Sequence, residues 1–140
     1  MAMPSEVFID TGAWYAVADT DDGHHGQARK AYFDLLLKSY LVTTNLVLAE
    51  TYALVLGRKG VAPALRFLET VRESPRIEIV YSTRELEGVA EGILLKYADH
   101  PFSYTDATSF ACMQTRGITD AFTFDQHFAI AGFQMIPRND

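Results

Sequence analysis

The stretch that decides the fold is Val7-Phe8-Ile9-Asp10-Thr11-Gly12, in which an apolar run ends abruptly in an acid. We interpret the run as a short buried strand, and Thr11-Gly12 as the turn into a helical segment over 13–17. Near the other end of the chain, the run Ala121-Phe122-Thr123-Phe124 also ends in an acid, Asp125. Both acids therefore directly follow strands, and the working sites of parallel sheets lie at such ends.

Predicted strands and helices alternate between and around these two runs. The strands are expected at 6–10, 40–43, 77–81, 118–124 and, at an edge, 133–136. The longer helices are expected at 26–39, 45–57, 61–73, 83–97 and 104–116, with Asn45 and Ser82 as N-caps. This alternation predicts an α/β fold with a mostly parallel central sheet of four to five strands, covered by helices on both faces. Because no linker or repeat interrupts the pattern, we expect one domain over residues 1–140.

The composition excludes several classes of protein. The chain has 140 residues, of which 49% are hydrophobic and 21% charged, as in an ordinary globular protein. No apolar run approaches the ~20 residues of a membrane-spanning helix, so we expect no membrane partner. The first six residues lack the pattern of a secretion signal, and the lone Cys112 can form no internal disulfide, so we expect a cytoplasmic protein. A net charge of −6 argues against a protein that holds nucleic acid by bulk electrostatics.

Glu50 interrupts an apolar helical segment. Its neighbours one turn away, including Leu46 and Leu54, are apolar, so we expect the side chain on the face that packs inward. An ionised carboxylate there needs a partner. A salt bridge to Arg58, or a protonated carboxyl group, would be the purely structural explanation.

Asp10, Asp106 and Asp125 each have a structural explanation of their own. Asp10 precedes Thr-Gly and suits a turn or cap, Asp106 suits the first turn of a helix, and Asp125 could cap a helix that follows it. Taken together with Glu50, they favour a site, because helices that follow parallel strands start at the same sheet edge at which the strands end. We therefore expect all four acids to line one crevice.

A crevice of this kind requires a cation. Two carboxylates ~5 Å apart repel by roughly 3 kcal/mol at an effective dielectric constant of ~20, so several converging acids would largely fail to ionise on their own. Oxygen ligands without His or Cys favour Mg²⁺ or Mn²⁺ over Zn²⁺. These ions serve phosphodiester hydrolysis, in which they activate water and stabilise the leaving oxygen.

Four segments in order resemble a known family. They are Val-Phe-Ile-Asp-Thr near the start, Leu-Ala-Glu-Thr in an apolar helix, Ser-Tyr-Thr-Asp-Ala, and Ala-Phe-Thr-Phe-Asp-Gln-His-Phe near the end. Together they resemble the PIN domain and, more narrowly, the VapC-type toxin ribonucleases, over about Val7 to Ile136. The resemblance implies a three-layer α/β/α sandwich and a Mg²⁺- or Mn²⁺-dependent endoribonuclease. It also implies an RNA substrate, a cognate antitoxin protein and a homodimer.

The same resemblance assigns roles to individual residues. Asp10 and Asp106 are expected as direct metal ligands, Glu50 as a ligand or as the residue that orients water, and Asp125 as part of a second, weaker metal position. Thr11 and Thr123 take the family's hydroxyl positions beside the first and last acids. Phosphate contacts would come from a few cations near the crevice, for which the candidates are Arg29, Lys30, Arg58, Lys59 and Arg116.

Other residues are expected to be structural. His24-His25 lies in a polar turn, His127 has no required role in the family, and Asp120 is expected to be a partly exposed polar position. Trp14 and Tyr15 are expected to serve packing or subunit contacts.

Two other functions remain open from the sequence. Asp10 could be a phosphoacceptor, although a phosphatase would have a second Asp where Gly12 stands and a receiver domain would have a late Lys, whereas no Lys follows Lys96. The chain could also be a metal-binding or partner-binding PIN-like protein without nuclease activity.

Overall fold

The protein, described here by a computed structural model that covers residues 5–138, is built on one five-stranded sheet. The strands are β1 (Glu6–Ile9), β2 (Tyr40–Thr44), β3 (Ile77–Val80), β4 (Asp120–Phe122) and β5 (Gln134–Ile136). Their order in the sheet is β3-β2-β1-β4-β5, and all four pairings are parallel. The strand that carries Asp10 at its end is therefore central, which explains its uninterrupted apolar run.

Seven helices connect the strands within the described range. They are α1 (Thr11–Ala18), α2 (His25–Lys38), α3 (Asn45–Lys59), α4 (Val61–Glu73), α5 (Arg84–Lys96), α6 (Tyr104–Arg116) and α7 (His127–Ile130). The chain moves from β1 through β2 to β3 in one direction and then returns to β4 on the other side of β1. Right-handed crossovers consequently place α1–α4 on one face and α5–α7 on the other, so the expected α/β/α sandwich is confirmed. None of the helices found over residues 5–138 has the length and apolarity needed to cross a membrane.

Aromatic side chains fill the space on both faces of the sheet. On the first face, Trp14 packs edge-on against Tyr32 and Phe67, with ring centroids 5.7 Å apart in both pairs. On the second face, Phe110 packs edge-on against Phe128 at 4.9 Å. Burying a side chain of this size contributes about 1.5–3 kcal/mol, so these rings hold the helices of each face together. Trp14 is thus a core residue, as the sequence predicts.

Helix α6 is the most deeply enclosed element of the second face. Seven consecutive residues, Ala107 to Met113, are buried. Its first turn, which contains Asp106, is held by this packing at the edge where β1 and β4 end. The position of Asp106 is therefore a consequence of the core.

Two predicted helix caps are wrong by one residue. The cap of α3 is Thr44, whose hydroxyl accepts from the Val47 N–H at 3.2 Å, because β2 passes into α3 without a loop. The cap of α5 is Thr83, which accepts from the Leu86 N–H at 3.1 Å. The residues predicted as caps bond each other instead, since the Ser82 N–H donates to Asn45 Oδ1 at 2.8 Å.

The assignment of the α5 cap can be tested by unfolding. We expect Thr83→Ala to lower the free energy of unfolding by about 1 kcal/mol, because one N-terminal N–H of the helix loses its partner. Thr83→Ser keeps the hydroxyl and should stay close to wild type in urea denaturation. A larger loss in Ser82→Ala than in Thr83→Ala would contradict the assignment.

Candidate active site at the carboxyl edge of the sheet

Asp10 is a buried carboxylate at the end of the central strand. The residue is only 5% exposed, and its side chain makes no capping bond to α1. Thr123 Oγ1 donates a hydrogen bond to Asp10 Oδ2 at 3.0 Å. Burial raises the pKa of Asp10 from 3.8 to about 7, and it outweighs the hydrogen bonds from Thr11 and Thr123 that lower it. The neighbouring charges of Asp106 and Asp125 contribute to the same increase in the pKa, but less than burial does.

Asp106 enters the site from the first turn of α6. Its carboxylate accepts from the Ser103 N–H at 3.1 Å, and its own N–H donates to Ser103 Oγ at 2.9 Å, which forms a reciprocal capping box. The side chain is 13% exposed. The capping role foreseen as the structural alternative is thus present, and it holds the carboxylate in one orientation beside Asp10.

Thr123 links the last acid to the first. The Asp125 N–H donates to Thr123 Oγ1 at 3.0 Å, and the same hydroxyl donates onward to Asp10. Asp125 Oδ1 accepts from the His127 N–H at 2.9 Å, so the carboxylate is bonded to the first residue of α7. A continuous chain of hydrogen bonds therefore runs from α7 to the buried end of β1.

The four acids and Thr11 line one crevice of about 300 Å³, together with Gly12 and Phe124. The predicted environment of Glu50 is nevertheless wrong, because its side chain is exposed. The buried face of α3 is formed by Val47, Leu48, Thr51 and Val55. Alanine at positions 49 and 53 is exposed, so apolar neighbours one turn away do not define an inward face here. Glu50 consequently lines the crevice on the side that faces solvent.

The residues present fit a divalent cation. Thr11 Oγ1 is buried at the crevice and has no hydrogen-bond partner among residues 5–138. One ligand atom each of Asp106, Asp125 and His127 lie within 4.8 Å of one another. A buried acid, an unpartnered hydroxyl and converging ligand atoms are what an ion would satisfy.

His127, for which the family resemblance implies no required role, lies against two of the acids. Its Nδ1 lies 3.2 Å from Asp106 Oδ2 and 3.6 Å from Asp125 Oδ1. The sequence indicates that His127 is near the last acid, because His127 stands two residues after Asp125, where α7 begins. The other two histidines considered, His24 and His25, contact none of the four acids: His24 stacks on Phe124 of the crevice wall with ring centroids 4.2 Å apart, and His25 Nδ1 contacts the Ala16 carbonyl at 2.7 Å.

Two of the five candidate phosphate contacts, Arg58 and Lys59, interact with other residues of the protein. Arg58 does not pair with Glu50, since its guanidinium lies over the Tyr15 ring, 4.9 Å from the centroid. Lys59 Nζ contacts Asp19 Oδ1 at 3.0 Å and Asp21 Oδ2 at 2.7 Å. These cations therefore already have partners.

Arg116 is placed away from the crevice. It ends α6, about 15 Å along the helix axis from Asp106, and pairs with Glu6 at 2.7 Å and Glu78 at 2.9 Å. Arg29 and Lys30 are both exposed on α2, with the Arg29 guanidinium 5.2 Å from the Phe33 ring centroid.

The fold and this crevice define a known class of protein. The sequence profile of the PIN domain matches residues 7–134, and the chain belongs to the PIN domain family. It is 34% identical over 127 residues to the 23S rRNA-specific endonuclease VapC20 of Mycobacterium tuberculosis, covering 91% of this chain and 95% of that protein. The crystal structure of that VapC20, described as a sarcin–ricin loop cleaving toxin, matches with a TM-score of 0.83 over the same shares. A VapC ribonuclease of Archaeoglobus fulgidus is 34% identical over 104 residues, covering 72% of this chain and 65% of its own length.

The buried Asp10 predicts a pH dependence of stability in metal-free protein. Unfolded chains lose the Asp10 proton near pH 3.8, whereas the folded protein keeps it to about pH 7. The contribution of Asp10 to the free energy of unfolding should therefore be largest below pH 4, fall by up to about 4 kcal/mol as the pH rises to 7, and then level off.

Asp10→Asn should remove this contribution, so its stability relative to wild type should grow between pH 4 and 7. Urea unfolding in EDTA measures the difference, with Asp120→Asn, an acid of β4 outside the crevice, as the matched control. A pH profile that is the same in Asp10→Asn and wild type would show that Asp10 is not the buried titrating group.

Proposed function

We propose that this protein is a Mg²⁺- or Mn²⁺-dependent endoribonuclease and the toxin of a toxin–antitoxin pair. The observation that carries the proposal is the convergence of four acids and an unpartnered hydroxyl in one crevice. Membership of the PIN domain family and the endonuclease and ribonuclease names of the relatives support it.

Three of the acids would bind the ion, and Thr123 would orient one of them. Asp10 and Asp106 are the ligands fixed most firmly, the first by burial and the second by its capping box. Asp125 completes a second position, and Thr123 orients Asp10 by donating to its Oδ2. A bound cation supplies activated water and neutralises charge on the phosphate.

Glu50 has a different position from the other three acids. Its exposed carboxylate reaches the crevice from the solvent side, where a phosphodiester and the attacking water would enter. A carboxylate there can accept a proton from water or orient it. No side-chain nucleophile is required in this arrangement.

Binding of RNA to an acidic protein depends on the same cation. The chain carries a net charge of −6, and the crevice repels phosphate until an ion reverses its local sign. Arg29, Lys30, Arg58 and Lys59 are the proposed backbone contacts. Arg116 is excluded from this set, because its guanidinium contacts Glu6, which lies at the opposite end of β1 from Asp10.

The name of one relative suggests the class of RNA that this protein cleaves. VapC20 of M. tuberculosis is by name 23S rRNA-specific, so we propose a structured ribosomal RNA loop as the substrate. An acidic toxin would be matched by an antitoxin with basic residues. We also propose a homodimer that acts in the cytoplasm.

Cleavage of RNA by the purified protein tests the activity. A 23S rRNA fragment containing the sarcin–ricin loop, a transfer RNA and a messenger RNA should be incubated with Mn²⁺, Mg²⁺ or EDTA. We expect metal-dependent cleavage of the ribosomal fragment, and a loss of at least about a hundredfold in Asp10→Asn and Asp106→Asn. Asp120→Asn should retain the wild-type rate.

Three results would overturn the assignment. Unchanged cleavage by Asp10→Asn would sink the mechanism. Binding of Mn²⁺ without cleavage of any RNA would instead favour a PIN-like protein that acts only through a partner, and labelling of Asp10 by acetyl phosphate would favour a phosphoacceptor.

A further inference from the structure

We infer that His127 is a ligand of the cation through Nδ1, at a position shared with Asp106 and Asp125, and that this nitrogen makes the site select Mn²⁺ over Mg²⁺. The inference rests on the metal site of the proposed function. It adds a nitrogen ligand to the four acids, and it concerns which divalent ion the site binds more tightly.

His127 Nδ1 lies about as far from a carboxylate oxygen of Asp106 and of Asp125 as two ligands of one ion lie from each other, and the ligand atoms of all three residues are within 4.8 Å of one another. At metal–ligand distances of about 2.1 Å, adjacent ligands in an octahedron lie ~3 Å apart and opposite ones ~4.2 Å apart. His127 Nδ1 lies 3.2 Å from Asp106 Oδ2 and 3.6 Å from Asp125 Oδ1. An ion can therefore bind all three with small side-chain movements.

The imidazole is held in this orientation by its surroundings. The His127 N–H donates to Asp125 Oδ1, which fixes the start of α7 beside the last acid. The ring packs edge-on against the buried Phe102, with centroids 5.2 Å apart at 63°. Phe128, the next residue, is completely buried and anchors the helix. The side chain keeps 29% exposure, so an ion from solvent can reach it.

A simpler interpretation is that His127 only positions Asp106. In that case Nδ1–H donates to Asp106 Oδ2, and the ring orients the carboxylate without touching the ion. The two interpretations differ in chemistry. A positioning hydrogen bond affects the binding of every divalent ion through Asp106, whereas a nitrogen ligand discriminates between ions.

The discrimination follows from ligand preference. Mg²⁺ takes oxygen ligands almost exclusively and loses its waters reluctantly, so an imidazole adds little to its binding. Mn²⁺ is more tolerant of geometry and accepts a nitrogen ligand, so the same imidazole strengthens its binding. The all-oxygen set of Asp10, Asp106, Glu50 and Asp125 would by itself provide no such preference.

Calorimetric titration of the metal-free protein with MnCl₂ and with MgCl₂ tests the preference. His127→Phe removes the nitrogen and keeps a ring against Phe102. The matched control is His100→Ala, because His100 also packs on Phe102, with ring centroids 5.7 Å apart. We expect His127→Phe to weaken Mn²⁺ binding by about tenfold or more and Mg²⁺ binding by less than about threefold. Equal losses for both ions, or no loss for either, would overturn the inference.

Pulsed electron paramagnetic resonance of bound Mn²⁺ tests ligation directly. A nitrogen coupling should be present in the wild type and in His100→Ala, and absent in His127→Phe. A wild-type spectrum without nitrogen coupling, or a coupling that persists in His127→Phe, would show that His127 is not a ligand. Neither measurement uses RNA, so failure here leaves the nuclease proposal standing, and failure of cleavage leaves this inference standing.

Discussion

The burial of one carboxylate governs this site. Asp10 ends the central strand of the sheet, where almost no water reaches it, and an ionised acid in such a place costs several kcal/mol. The hydroxyl of Thr123 offsets part of that cost, but the charges of Asp106 and Asp125 add to it. Below pH 7 the carboxyl group avoids this cost by keeping its proton, and a positive ion in the crevice would offset it for the ionised form. The site is therefore arranged to be unfavourable when empty, and this is the physical basis for its affinity for a cation.

The topology of the sheet explains why the acids meet. The chain adds β2 and β3 on one side of β1 and then returns to add β4 and β5 on the other, so β1 and β4 flank the point where the direction reverses. Ligands of open parallel sheets bind outside the strand ends at this point. Asp10 follows β1, Asp125 follows β4, and α6 brings Asp106 in from the opposite face. Residues distant in sequence become neighbours through this single reversal.

The sequence predicts much of this arrangement, and the remainder has identifiable causes. Apolar runs that end in acids specify the strands and the edge on which Asp10 and Asp125 lie, because burial patterns are local. The exposure of Glu50 could not be read from its neighbours, since alanine is tolerated on either face of a helix. The approach of His127 to Asp106 depends on how α7 packs against Phe102, which is a tertiary contact. The exclusion of Arg116 likewise follows from ion pairs with residues far away in sequence.

Anomalous X-ray scattering from crystals grown with Mn²⁺ would locate the ion without reference to activity. We expect a peak in the crevice within about 2.0–2.4 Å of a carboxylate oxygen of Asp10 and of Asp106. A crevice without a peak at a saturating Mn²⁺ concentration, or ions bound only at surface acids such as Asp21, would contradict it.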